Sequence, residues 1–145
     1  MRTAIIGWLA VILLLTGIGH LARPFLDNYN DDDNAFAREY AGEMLLGLER
    51  ISAEADKLAG SQAAGDYYLD AAERLDRSKQ AAVHLKGDLA YDFVYAFACA
   101  EEWCRASAEA RYRPRDAAAP RRARDALARA RAEFTAISRK DYKRR

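Results

Sequence analysis

A chain of 145 residues has room for one membrane segment and one small domain. Eight glycines and three prolines are too few for a turn-rich sheet protein, and two cysteines with no nearby histidine are too few for a zinc site. The formal net charge of +1 conceals a division: residues 24–110 carry eighteen acids against eight bases, and residues 111–145 carry thirteen bases against four acids. The frequent alanine and arginine point to a GC-rich bacterial genome.

Residues Ala4 to Ala22, AIIGWLAVILLLTGIGHLA, contain no formal charge. Nineteen helical residues span about 28 Å, close to the hydrocarbon thickness of a bilayer. Arg2 and Arg23 bracket the run, and Trp8 and His20 sit near its ends, where amphipathic rings are tolerated. Residues 1–23 are therefore expected to form a transmembrane signal anchor. The N-terminus is expected in the cytoplasm and the bulk of the chain in the periplasm. The competing expectation is a cleaved signal peptide, with Gly17 and Gly19 offering a cut before His20.

Residues 24–34 read as a polar connector in which Pro24 ends or kinks the membrane helix. Asp33 or Asn34 is a suitable N-cap for the next helix. From about 35 to 59 the apolar positions Ala37, Ala41, Met44, Leu48, Ile51, Ala55 and Leu58 step 4-3-4-3-4-3, which predicts a helix with a heptad stripe. Gly60 suits a helix C-terminus, Gln62 to Gly65 read as a short loop, and Asp66 as the next N-cap.

A further helix is expected from about 67, on the stripe Tyr68, Ala71, Leu75, Ser78, Ala82, Leu85 and Leu89. Lys86-Gly87-Asp88 reads as base, helix-ending glycine and new cap, so a break or bend is expected there. In the stretch AYDFVYAFA, residues 90–98, Tyr91, Phe93, Tyr95 and Phe97 alternate with period two, a strand signal. No second strand-like segment exists to pair with it, so helix is the expectation. On a helix these aromatics spread around the circumference, and the segment must then be buried on several sides, at a bundle centre or against a partner. Residues 113–120 read as a linker. A basic helix runs from Pro120 to about 140, with Ala123, Leu127, Ala130, Phe134 and Ile137 inward, and the terminal KDYKRR is expected to fray. The expected architecture is all-α: an N-terminal transmembrane helix followed by a small antiparallel bundle of three to four helices. Its divisions fall at residues 1–23, 24–34, 35–112 (acidic) and 113–145 (basic).

Catalytic signals are missing from the sequence. There is no glycine-rich phosphate loop and no Glu-x-x-His pair, and Glu101 and Glu102 diverge by about 100° on a helix. Neither a cofactor nor a metal is expected, and the chain is read as non-catalytic. The best constellation is His84, Asp88 and Asp92 at i, i+4, i+8, which on one continuous helix would offer a metal-binding face, the basis of an alternative reading as a metal-binding bundle. Cys99 and Cys104 stand about 140° apart on a helix and cannot bond to each other there.

The leading expectation is a membrane-anchored accessory or scaffold subunit that docks onto partner proteins. Tyr91, Phe93, Tyr95, Phe97, Trp103, Arg121, Arg122, Arg124, Arg129 and Arg131 are its candidate contact residues. Membrane lipid is the expected partner of residues 4–22. An acidic protein surface or anionic lipid is an option for residues 111–145, unless that segment folds back on the chain's own acidic helices. Nucleic acid is not expected. The layout of short anchor, periplasmic helix, proline-containing break and charged terminal helix also resembles the inner-membrane spanins of phages, which implies a lysis role as an alternative.

Overall fold

The structure is a computed structural model and describes residues 33–142. Four helices occupy them: α1 (Asp33–Asp56), α2 (Ser61–Ala82), α3 (Gly87–Tyr112) and α4 (Ala118–Arg139). No strand occurs among the described residues. Residues 90–98 lie within α3, so the period-two alternation does not make a strand. The run Ala4–Ala22, the connector up to residue 32 and the last three residues lie outside the described residues. No helix within those described is long and apolar enough to cross a membrane.

Side-chain pairing sets the directions of the helices. Arg122 meets Glu109 at 2.7 Å, Arg129 meets Glu102 at 2.9 Å, and Lys140, just past the end of α4, meets Asp92 at 2.6 Å. Numbers rise on α4 as they fall on α3, so the two helices are antiparallel. Lys79 with Glu101, and Tyr112 with Asp66, make α2 antiparallel to α3 in the same way. Phe36 with Phe93, Tyr40 with Phe97, and Asp56 with Arg111 run α1 parallel to α3. The result is an up-down-up-down four-helix bundle. α3 packs extensively on both α2 and α4, and α4 closes onto α1. The α1–α2 side is the most loosely closed.

The core follows the stripes. Ala37, Ala41, Met44, Leu48 and Ala55 of α1 are buried, as are Tyr68, Ala71, Leu75, Ser78 and Ala82 of α2 and Ala123, Ala130, Phe134 and Ile137 of α4. Leu58 is 40% exposed, because α1 stops at Asp56 before the stripe reaches it. Alanine on facing helices allows close approach but buries little area per residue. The three largest fully buried side chains, Phe93, Phe97 and Phe134, belong to one aromatic cluster at the end where α1 begins. Phe36, Tyr40, Phe93, Phe97 and Phe134 join three helices with ring centroids 5.2–6.4 Å apart. Such pairs contribute about 0.5–1.5 kcal/mol beyond area burial. Towards the other end Tyr68 and Trp103 meet edge-on at 5.8 Å.

Boundaries differ from the sequence expectation at the starts of α2 and α4. Gln62 to Gly65 do not form a loop: α2 already starts at Ser61, and Gly60 (φ 98°) turns the chain immediately before it. Gly65 is buried within α2 because a Cβ there would lie 2.7 Å from the Tyr112 ring, so its missing side chain makes room for α3. The expected break at Gly87 is present, with Gly87 at φ 53° opening α3 after the turn at residues 83–86. α4 starts two residues before Pro120. Asp116 accepts the Ala118 N–H at 2.9 Å, and a proline in the first turn loses no intrahelical hydrogen bond.

Gly42 and Gly47 differ from Gly65. Both lie inside α1 with ordinary helical backbone, and a Cβ at either would meet nothing within 4 Å. Each costs helix stability by about 0.5–1 kcal/mol relative to alanine, with no return from packing inside the chain.

Candidate interaction surfaces

The ten candidate contact residues separate into three groups. Phe93, Phe97 and Trp103 are buried in the chain's own core, so they are not surface contacts. Helical geometry separates them from their neighbours: at 100° per residue, Phe93 and Phe97 share the inward face while Tyr91 points away. Tyr91 is 75% exposed and Tyr95 48%.

Arg122 and Arg129 form the second group. They are held by Glu109, Asp116 and Glu102, so the basic helix is partly neutralised by the acidic helix beside it. Arg121, Arg124 and Arg131 form the third. They are exposed, and no ion pair among the described residues engages them. Arg124 and Arg131, seven residues apart, share one flank of α4. Arg122 and Arg129 share the flank that meets α3.

A clasp that the sequence did not announce ties the two ends of the described chain together. The Asn34 amide donates to Asp141 at 2.8 Å, and its carbonyl oxygen accepts the Tyr142 N–H at 2.6 Å. The Tyr142 hydroxyl donates to Asp92 at 2.7 Å, where Lys140 also binds. Burial and the Asp92 carboxylate together hold the Tyr142 phenol well above its ordinary range. The terminal segment through Tyr142 is therefore docked rather than frayed. The contacts join residues more than a hundred positions apart, beyond the reach of any local pattern.

The alternative metal face does not form. His84 sits in the exposed turn before α3, while Asp88 and Asp92 belong to α3 beyond the break, so the three do not share a helix. Asp92 is engaged by Lys140 and Tyr142. No cluster of three or more His, Cys, Asp or Glu suited to a metal occurs among the described residues.

The surface of the described residues includes two depressions. One, open and shallow, lies over the outer face of α3 beside Arg122. Its carboxylates Glu101, Glu102 and Glu109 are each already paired with a base. The other is a cleft of about 210 Å³ between α1 and α2, floored by Met44, Ile51 and Ala71 and rimmed by Glu43, Arg50, Asp70 and Arg74. Arg74 and Asp70 pair with each other across one helical turn.

Cys99 and Cys104 are free and buried. Burial raises the Cys99 thiol, and Cys104 is pushed up to about 12 for the same reason. The folded chain thus keeps the Cys104 proton at pH values where the unfolded chain releases it. Stability from this source is complete below about pH 9, the ordinary thiol value, and is lost as pH climbs towards 12. Unfolding free energy should fall between pH 9 and pH 10, and Cys104→Ala should flatten that slope, as measured by urea titrations at each pH. An equally steep slope in the variant would remove Cys104 as its source.

No protein-family model matches the chain. No curated protein and no solved structure matches it significantly either.

Proposed function

We propose that this chain is a non-catalytic, membrane-anchored helical accessory subunit that docks onto partner proteins in a membrane-associated complex. The observation that carries the reading is the uncharged run Ala4–Ala22, set a short polar connector away from a helical bundle in which several acids pair with the chain's own bases. An anchor confines the bundle to two dimensions and raises its effective concentration towards neighbours. Tyr91 and Tyr95 on α3, with Arg121, Arg124 and Arg131 on α4, are the groups this role has available for contacts outside the chain. Exposed tyrosine and arginine are the residue types that most often anchor protein interfaces.

The test uses the full chain in cells. A photo-reactive amino acid at position 91 should give discrete cross-linked partners from a membrane fraction that resists alkaline extraction. Recovery of the chain in soluble form with its N-terminus at His20 or beyond would end the anchored reading. Absence of any adduct from positions 91, 95 and 124 would end the docking one.

A further inference from the structure

We infer that α4 lies along the bilayer, with Arg121, Arg124, Arg131 and Arg139 set against the phosphates of anionic lipid headgroups. The inference rests on the anchored reading above, and it leaves Tyr91 and Tyr95 of α3 for protein contacts.

The first observation is where the charge sits. α1, α2 and α3 carry six acids against two bases, four against three and five against two. α4 carries six bases against two acids. Two of the six, Arg122 and Arg129, turn towards α3 and are met there by Glu109 and Glu102. The other four are exposed, and no acid among the described residues pairs with them. At 100° per residue, Arg121, Ala128, Ala132 and Arg139 fall within about 20° of one line along the helix, opposite the buried Ala130. Of the two acids, Glu133 lies on the α3 side, near Arg129 and Cys99, which leaves Asp125 as the one carboxylate on the outer face of α4. The alanines between the arginines are too short to hold a flat surface away from the guanidinium groups.

The second observation is where the chain enters the bundle. Asn34, in the first turn of α1, is bonded to the Asp141 carboxylate and the Tyr142 N–H, so the end of α4 stands beside the start of α1. Residues 23–32 separate Asp33 from the apolar run and span at most about 35 Å. α4, with 22 residues, is about 33 Å long. Pivoting about this corner lays α4 on the bilayer within the reach of the connector, and turns α2, which does not pack on α4, towards water. Guanidinium groups bind phosphate oxygens in pairs. Their attraction to an anionic surface holds within a Debye length, about 8 Å at physiological salt. A bilayer is the anionic surface that the tether keeps within reach at all times, which favours lipid over a diffusing acidic protein.

Energy transfer in the full chain tests this. The chain is reconstituted in phosphatidylcholine vesicles, with and without phosphatidylglycerol, that carry an acceptor dye on a headgroup. The donor dye is placed at Ala132→Cys or, on the exposed side of α2, at Glu73→Cys; the native cysteines are buried and do not compete for it. With phosphatidylglycerol, transfer from position 132 should clearly exceed that from position 73. The excess should vanish without phosphatidylglycerol, and in about 1 M salt, where the Debye length falls to about 3 Å. It should vanish in R124E/R131E and persist in R124K/R131K. Both double variants should melt within about 3 °C of the parent, because neither position has a partner in the fold. A chain that leaves the vesicles in an alkaline wash would end the anchored reading and take this inference with it. A chain that stays, with equal transfer from the two positions or an excess indifferent to phosphatidylglycerol and salt, would overturn the inference alone. So would a photo-reactive group at position 132 that yields protein adducts from cells in place of lipid adducts, which would assign the face to an acidic protein.

Discussion

Phe97→Ala should lower the unfolding free energy by about 3–5 kcal/mol, the range measured for truncating a large buried aromatic. Phe97 is completely buried and touches Tyr40 of α1, Phe93 of α3 and Phe134 of α4, so the cavity would open where three helices meet. Small domains have about 5–15 kcal/mol in total. A core built mainly of alanine has few other large side chains to absorb the loss. Urea unfolding followed by circular dichroism measures it, with Tyr91→Ala as the control. Tyr91 is 75% exposed, and its truncation should change stability by no more than about 0.5 kcal/mol. A loss below about 1 kcal/mol at position 97 would mean that the aromatic cluster does not hold the bundle together.

Tyr40→Phe should act in the opposite direction and stabilise the fold by about 1–2 kcal/mol. The Tyr40 ring is fully enclosed between Phe36, Phe93 and Phe97, yet its hydroxyl has no hydrogen-bond partner among the described residues. A buried hydroxyl without a partner costs about 1–3 kcal/mol, and removing it leaves the ring packing in place. The same enclosure holds the phenol well above its ordinary value, because there is nothing to solvate the phenolate. The unfolded chain ionises near pH 10 and the folded one does not, so stability from this group is complete below pH 10 and is lost above it. The phenylalanine variant should therefore be more stable at neutral pH and should lose less stability in alkali. A destabilised variant would show that the hydroxyl is satisfied in solution.

Much of the bundle is legible in local spacing. The steps Ala37-Ala41-Met44-Leu48 and Ala123-Leu127-Ala130-Phe134-Ile137 name inward positions correctly because a helix repeats every 3.6 residues whatever it packs against. The break at Gly87 is legible because its backbone angle suits glycine. The start of α2 is not, since Gly65 looks like loop punctuation until Tyr112 arrives from a segment forty-seven residues later. The candidate surface was legible only in part. Composition marked Tyr91 to Trp103 as unusual, but which of its aromatics face inward depends on where α1 and α4 lie.

By itself the chain determined helix, stripe and charge division, because these are properties of neighbours within a turn or two. The tertiary structure decided the rest: that the basic helix pairs with Glu102 and Glu109 of the acidic one, and that Tyr142 returns to Asn34 and Asp92. Each of these depends on which distant residue comes within about 3 Å. That is set by how four helices share one core, a quantity no short window of sequence contains.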